Sequence, residues 1–151
     1  MSKAGVLVRQ GQAEVLNVMG CGVRFLCGAD KTDRKWSLME NDLVKGMGPP
    51  PHHHDWDEAY YVVEGEVTFQ VGGRVEVLRA GDFLYAPANA LHGFQCTSER
   101  ARMLIFDAPA HTEDFFREVD REVKQIPGDL PKVPAIGARN GIYFAPPAKA
   151  A

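Results

Sequence analysis

Four side chains of the types that bind divalent metal ions occur at two places in the sequence. His52, His54 and Glu58 lie close together, and His92 follows much later. If the histidine run is extended, alternate side chains face the same way, so His52 and His54 point to one side and His53 to the other. A turn before Glu58 would then bring its carboxylate beside the two imidazoles. The spacing therefore predicts a metal site made of His52, His54, Glu58 and His92.

Three imidazoles and one carboxylate suit several divalent ions, namely iron, manganese, nickel, cobalt, copper or zinc. Four protein ligands leave one or two positions open on a five- or six-coordinate ion. An open position is typical of a catalytic metal rather than a structural one. Taken alone, the same residues are also compatible with a solvated histidine-rich loop. The metal interpretation therefore depends on the elements that bring Glu58 and His92 to the run.

The elements predicted around these residues are short β-strands. Between residues 13 and 108, short runs rich in Val, Phe, Tyr and Leu alternate with glycine-containing turns. Gly72-Gly73 between two such runs is a strong signal for a two-residue hairpin. Many short strands at close spacing predict an all-β antiparallel sandwich or barrel. Glu58 and His92 each open one of these strands.

The period of the apolar residues changes after Pro109. Thr112 is a good helix N-cap, and acidic residues follow it where the helix dipole is positive. Apolar residues then recur at helical spacing, which predicts a helix over 112–126. Pro127-Gly128 ends this helix. The Pro- and Gly-rich tail 127–151 is predicted to run extended along the surface.

Charge and composition argue against several classes of function. The net charge is -3 and the basic residues are scattered, so there is no electrostatic footprint for nucleic acid. No stretch approaches the length of a membrane span, and the N-terminal residues lack a secretory apolar segment. Cys21, Cys27 and Cys96 are odd in number and lack CxxC spacing. We therefore expect a cytoplasmic protein of one domain, 1–151, with no nucleic-acid or membrane partner.

The spacings resemble those of the cupin superfamily. Its first motif, G-x5-HxH-x3,4-E-x6-G, is matched at every fixed position over residues 46–65. Its second motif, G-x5-PxG-x2-H-x3-N, is matched over residues 81–96 except at two positions. Asn89 replaces a glycine, and asparagine tolerates the left-handed conformation that a turn can require. Cys96 replaces the final asparagine, which is not usually a ligand, so we interpret Cys96 as a packing residue.

Within that superfamily the chain looks like the small single-domain members often called quercetin-dioxygenase-like. The resemblance implies a jelly-roll-like antiparallel β-barrel with a C-terminal helix and a Pro-rich tail. It implies one divalent metal held by His52, His54, Glu58 and His92, and a homodimer. It also implies that Glu58 can act as a catalytic base toward a substrate hydroxyl.

Strand alternation indicates which residues face the substrate. Tyr60, Val62 and Phe94 share faces with the ligands, so they are predicted to line a pocket for a hydrophobic small molecule. Tyr61 and Val63 are apolar on the opposite face, which fits a second layer or a partner subunit. We predict a metal-dependent, dioxygenase-type oxidoreductase acting on a small aromatic or enolic compound. A non-redox cyclase, isomerase or lyase is the alternative, followed by a binding protein without turnover.

Overall fold

The computed structural model describes residues 4–146, which form mainly β-strands. Two α-helices and two short 3-10 turns, Ala29–Lys31 and Leu130–Lys132, accompany the strands. The helices are α1 (Thr112–Glu122) and α2 (Val133–Arg139). The strands are β1 (Val15–Val18), β2 (Cys21–Cys27), β3 (Ser37–Val44), β4 (His52–His53), β5 (Asp57–Glu64), β6 (Glu66–Val71), β7 (Arg74–Arg79), β8 (Phe83–Ala86), β9 (His92–Cys96), β10 (Arg100–Ala108) and β11 (Tyr143–Phe144).

The strands form two antiparallel sheets. The first has the order β1-β2-β3-β10-β5-β8, and the second has the order β11-β4-β9-β6-β7. The predicted hairpin is present, because Val71 pairs with Arg74 across Gly72 and Gly73. Both glycines have positive φ, which is what a type I′ turn requires. The all-β antiparallel architecture predicted from the apolar runs is confirmed.

The core lies between the two sheets and follows from the two-residue period of the strands. In β3, buried residues alternate with partly exposed ones over Ser37–Val44. Tyr60 of β5, in the first sheet, packs edge-on against Phe69 of β6, in the second, with ring centroids 4.9 Å apart. A contiguous cluster of buried apolar side chains from both sheets and both helices results.

Helix α1 begins where the sequence predicts but ends earlier. Its last residue is Glu122 rather than residue 126, and Val123 already has non-helical backbone angles. The Asp129 carboxylate accepts hydrogen bonds from the backbone N–H groups of Lys124 and Gln125, each at 2.9 Å. This carboxylate gives the backbone partners that a continued helix would otherwise supply, so the helix stops. Over residues 4–146, neither helix is long and apolar enough to cross a membrane.

The prediction of an extended surface tail over 127–151 is wrong for the described residues. The chain forms a 3-10 turn, then α2, then β11, which pairs with β4. Val133 and Ile136 of α2 are buried in the common core. Their burial outweighs the weak helical propensity of a seven-residue segment that contains proline and glycine. Residues 147–151 of the predicted tail lie outside the described range.

Candidate metal centre

Both sheets contribute to one cluster of the four predicted ligands. His52 on β4 lies directly opposite His92 on β9, and His54 follows β4 by one residue. Glu58 is the second residue of β5, in the other sheet. One candidate ligand atom from each of the four residues lies within 4.8 Å of all the others, and all four residues are buried. The structure therefore brings together all the residues predicted as ligands, whereas His53 points away and is exposed.

Each imidazole of the cluster is oriented by the backbone. In each case Nδ1 lies within hydrogen-bond distance of a carbonyl oxygen two residues away. Because a carbonyl only accepts, Nδ1 carries the proton and the neutral ring keeps its lone pair on Nε2. This arrangement is typical of metal-binding histidines. The pairs are His52 with Pro50 at 2.9 Å, His54 with Trp56 at 3.0 Å and His92 with Ala90 at 2.8 Å.

The Nε2 atoms show that these residues fit a divalent cation. Nε2 of His92 and Nε2 of His54 lie 3.2 and 3.4 Å from Oε2 of Glu58. The buried Nε2 of His54 has no hydrogen-bond partner among the described residues. Neutral imidazole nitrogens and a carboxylate oxygen are all acceptors, so they need a cation between them. A proton or a metal ion meets this need, and the donor set of three nitrogens and a carboxylate suits first-row divalent ions.

The charges in the cluster follow from burial and from the neighbouring groups. Burial opposes ionisation of Glu58, but the imidazoles of His54 and His92 hold the pKa of its carboxyl well below the ordinary value. Burial, reinforced by His92, lowers the pKa of His52 to about 4. Burial also acts to lower the pKa of His92, but Glu58 outweighs it and raises this pKa. An ionised carboxylate beside a neutral His52 favours a bound cation.

The two carboxylate oxygens of Glu58 have separate supports. The hydroxyl of Thr112, at the start of α1, donates to Oε1 at 3.2 Å. The Tyr60 hydroxyl donates to Oε2. Burial, together with the negative charge of Glu58, raises the pKa of Tyr60 well above its usual value, so Tyr60 remains a donor. Glu58 is therefore held from both sides.

Thr112 reaches Glu58 because another residue caps its helix. Oδ2 of Asp107 accepts hydrogen bonds from the backbone N–H groups of His111 and Thr112, at 2.9 and 3.0 Å. The Ser37 hydroxyl donates to the other oxygen of Asp107. The predicted N-cap role of Thr112 is thus taken by the carboxylate of Asp107, which stands at the positive end of the helix dipole.

A cavity of about 610 Å³ faces the candidate ligands. His52, His54 and Glu58 line it, together with two of the predicted pocket residues, Tyr60 and Phe94. The third predicted pocket residue, Val62, packs in the core and does not line the cavity. It pairs with Met103 of β10, and both side chains are completely buried between the sheets.

Sequence reasoning missed much of the cavity wall. Thr112 and Asn41 line the cavity, as do residues from the C-terminal segment. Asn41 could have been found from the two-residue period of β3, since it occupies a buried position between Met39 and Leu43. Except for Ile126, which fits the helical period that follows Thr112, the C-terminal lining residues carry no comparable periodic signal. They are Ile126, Leu130, Val133, Pro134, Ile142, Phe144 and Ala145.

The two departures from the second motif have simple structural explanations. Asn89 takes the left-handed conformation, with φ of 68°, that a glycine at this position would adopt. Cys96 is buried outside the cavity lining, and its thiol donates to the carbonyl oxygen of Ser98 at 3.2 Å. Neither substitution alters the ligand cluster.

Comparisons with known proteins agree with this architecture. Residues 40–107 match the family model described as Cupin domain. The chain is 30% identical over 95 residues to Quercetin 2,3-dioxygenase of Bacillus subtilis, which covers 62% of this chain and 28% of that protein. It is 30% identical over 92 residues to Polyketide synthase CurC of Streptomyces cyaneus, covering 60% of each protein. The chain therefore spans between about a quarter and three fifths of the length of these curated relatives.

Among solved structures, an RmlC-like cupin from Shewanella frigidimarina has a similar fold. The TM-score is 0.65 at 24% identity, and the match covers 75% of this chain and 98% of the other. The two facing antiparallel sheets, the matched family model and the buried cluster of three histidines and one glutamate define the class. Residues 40–107 belong to the cupin superfamily, and three quarters of the chain shares the fold of that solved cupin.

Proposed function

We propose that this chain is a metal-dependent oxidoreductase of the dioxygenase type that acts on a small aromatic or enolic compound. The observation that carries the proposal is the position of the ligand cluster, which faces an apolar-walled cavity of about 610 Å³. This volume is within the range of small-molecule sites. His52, His54, Glu58 and His92 would hold one divalent ion. The similarity to Quercetin 2,3-dioxygenase supports the choice of reaction and substrate class.

Glu58 is the proposed base of the reaction. When bound, the divalent ion supplies a Lewis acid that lowers the cost of negative charge on a substrate oxygen. The Glu58 carboxylate, which the bound cation would keep ionised, takes the proton of the substrate hydroxyl. A carboxylate with a low pKa is a weak base, so the site suits the acidic hydroxyls of enols and phenols rather than those of alcohols.

The residues around Glu58 control where this proton goes. Thr112 holds Oε1 and Tyr60 donates to Oε2, so the carboxylate keeps one orientation. Tyr60 stays protonated because of its raised pKa, so it does not compete with Glu58 as a base. The aromatic side chains of Phe94, Phe115 and Phe144 line the cavity. They exclude water and provide faces on which a ring can pack.

The same residues also serve a second candidate function. A non-redox cyclase, isomerase or lyase would use the same carboxylate and the same activated oxygen. The similarity to Polyketide synthase CurC favours this candidate, and the chain covers a larger share of that protein than of the dioxygenase. The third possibility, a binding protein without turnover, would hold the same ligand and release it unchanged.

We also propose that the protein is a cytoplasmic homodimer. Apolar side chains are exposed on the outer face of the first sheet, where Tyr61 of β5 pairs with Phe83 of β8. Tyr85, on the same edge strand, is exposed as well. A second copy could cover this face. Cys21, Cys27 and Cys96 are free thiols, which fits a reducing compartment.

Metal content and oxygen uptake test the proposed reaction. Protein purified without a nickel step is loaded separately with iron, manganese, nickel, cobalt, copper or zinc, and oxygen uptake is measured with quercetin as the probe. We expect uptake by the wild type and by Glu64→Gln, an exposed carboxylate on the same strand. Glu58→Gln should lose activity by about 100-fold or more, the usual scale for removing a general base.

The other outcomes separate the candidates. A Glu58→Gln variant that retains metal but does not turn over supports the base role independently of metal binding. Conversion of the probe under nitrogen, including with zinc, would contradict the dioxygenase proposal and favour the non-redox cyclase, isomerase or lyase. If the probe binds but is recovered unchanged with every metal, the remaining candidate is a binding protein without turnover.

A further inference from the structure

Asn41 is a buried amide without a hydrogen-bond partner. Its side chain is only 5% exposed, and its Oδ1 has no partner among the described residues. Buried amides almost always form hydrogen bonds, and an unpartnered one in a folded protein calls for an explanation. The oxygen and nitrogen of an amide are interchangeable by a flip, so this side chain can accept or donate.

The strands around Asn41 cannot supply the missing partner. Met39 and Leu43 flank it on the same face of β3. Val23 of β2 and Met103 of β10 are its neighbours across the sheet. All four side chains are apolar and buried. Asn41 also lines the cavity, so an occupant of the cavity can supply the missing partner.

The register of the first sheet separates Asn41 from Glu58. Glu58 stands in one row with Asp107 and Ser37, and Asn41 stands four residues further along its strand, in a row with Met103. Four residues of strand and two inter-strand spacings put the Cα atoms of Asn41 and Glu58 roughly 16 Å apart. A ligand that contacts both Asn41 and Glu58 must therefore be elongated.

Soft side chains line the cavity on the side of Asn41. The thiol of Cys21 lies 3.5 Å from the sulfur of Met47, and Met39 is also part of the lining. Burial raises the pKa of the Cys21 thiol to about 11, so it stays neutral. Sulfur atoms make favourable contacts with aromatic rings. A neutral, sulfur-rich wall suits a flat aromatic body.

From these observations we infer that Asn41 is a recognition residue for the substrate. Its amide binds a neutral oxygen group, a hydroxyl or a carbonyl, on the end of an elongated aromatic ligand that lies away from the metal ligands. This inference rests on the proposed function, because it names the second polar group that the substrate of that site carries. The enolic oxygen lies at Glu58, and the second oxygen lies at Asn41.

The first test measures stability and needs no ligand. Leucine is close to asparagine in size, and Asn41→Leu replaces an unpartnered amide in an apolar wall. We expect this variant to melt at the same temperature as the wild type or a few degrees higher. The control is Asn140→Leu, because the Asn140 amide donates to Glu118 at 2.6 Å and to the carbonyl of Ile136 at 2.9 Å. A clear fall in melting temperature for Asn41→Leu would show that Asn41 has a structural role and would overturn the inference.

The second test measures ligand binding to the metal-free protein, by quenching of tryptophan fluorescence. Quercetin carries hydroxyls on its outer rings, whereas 3-hydroxyflavone has only the enolic one. We expect the wild type to bind quercetin more tightly than 3-hydroxyflavone. Asn41→Leu should weaken quercetin binding roughly tenfold and leave 3-hydroxyflavone unchanged, as expected for loss of one hydrogen bond. Met39→Leu, an apolar control in the same wall, should affect both compounds alike.

The outcomes of the second test are also decisive. Equal weakening of both compounds by Asn41→Leu, or a wild type that does not distinguish them, would overturn the inference. Because binding is measured without metal or turnover, selective binding without later oxygen uptake would contradict only the proposed reaction.

Discussion

The cavity has two walls that are built in different ways. In the ligand wall, formed by β4, β5 and β9, the three imidazoles are held by hydrogen bonds that they donate to backbone carbonyls. Thr112 and Tyr60 hold Glu58. The C-terminal wall, residues 126–145, contributes apolar side chains to the cavity and joins the second sheet through the two residues of β11. The difference shows that directional bonds are concentrated where ligand atoms need fixed positions. Closure of the cavity depends instead on apolar packing, which has no preferred direction.

The largest expected effect comes from removing one ligand. His92→Ala should lose its metal, with a fall in affinity greater than the 10–100-fold cost of losing a group that only supports a ligand. His53→Ala is the matched control, since His53 is a neighbour of two ligands but is exposed and stacks on Tyr143. Elemental analysis of both purified variants makes the measurement. Equal metal loss in the two variants would contradict the proposed ligand set.

A smaller effect is expected when the support of Glu58 is removed. Thr112→Val keeps the size of the side chain but removes the donor to Oε1, so metal affinity should fall about 10–100-fold. The change can be measured by competition with a chelator. Thr68→Val is the control, because Thr68 lies on β6 of the second sheet and its hydroxyl contacts that of Thr97. Unchanged metal affinity in Thr112→Val would mean that Glu58 needs no support from α1.

The smallest effect on metal binding is expected from a substitution in the C-terminal wall. A Cβ at Gly137 would lie 2.8 Å from the carbonyl oxygen of Ile142 and 2.9 Å from the ring of Phe144. Gly137→Ala should therefore displace this wall and destabilise the protein by about 1–3 kcal/mol, the usual cost of overpacking. Thermal unfolding measures the loss of stability, and elemental analysis should show full metal content.

A matched glycine provides the control for this wall. A Cβ at Gly128 would meet nothing closer than 3.9 Å, so Gly128→Ala should leave stability nearly unchanged. If Gly137→Ala also removed the metal, the two walls would not be independent, and the contrast between them would fail.

The ligand wall could be predicted from the sequence because its signals are local. Alternation in the histidine run separates His53 from its neighbours, and Glu58 and His92 each lie at the start of a strand. The cap of α1 and the support of Glu58 by Thr112 depend on tertiary contacts instead. Asp107 caps α1 from a different element, which frees the Thr112 hydroxyl for Glu58. No spacing in the sequence indicates this exchange of roles.

The C-terminal wall could not be predicted for a different reason. Helix α2 has seven residues and contains Pro134 and Gly137, so local propensity gives it little support. It forms because Val133 and Ile136 are buried in the core. The structure of this segment is therefore decided by packing, which its Pro- and Gly-rich sequence does not reveal.

The pairing of β11 with β4 places the last strand in the described chain beside His52. All four candidate ligands precede residue 93, whereas the C-terminal wall begins at residue 126. During translation, the ligands are therefore made before the segment that encloses them. None of the four ligands lies on β11, so separation of β11 from β4 would open the cavity beside His52 without removing a ligand.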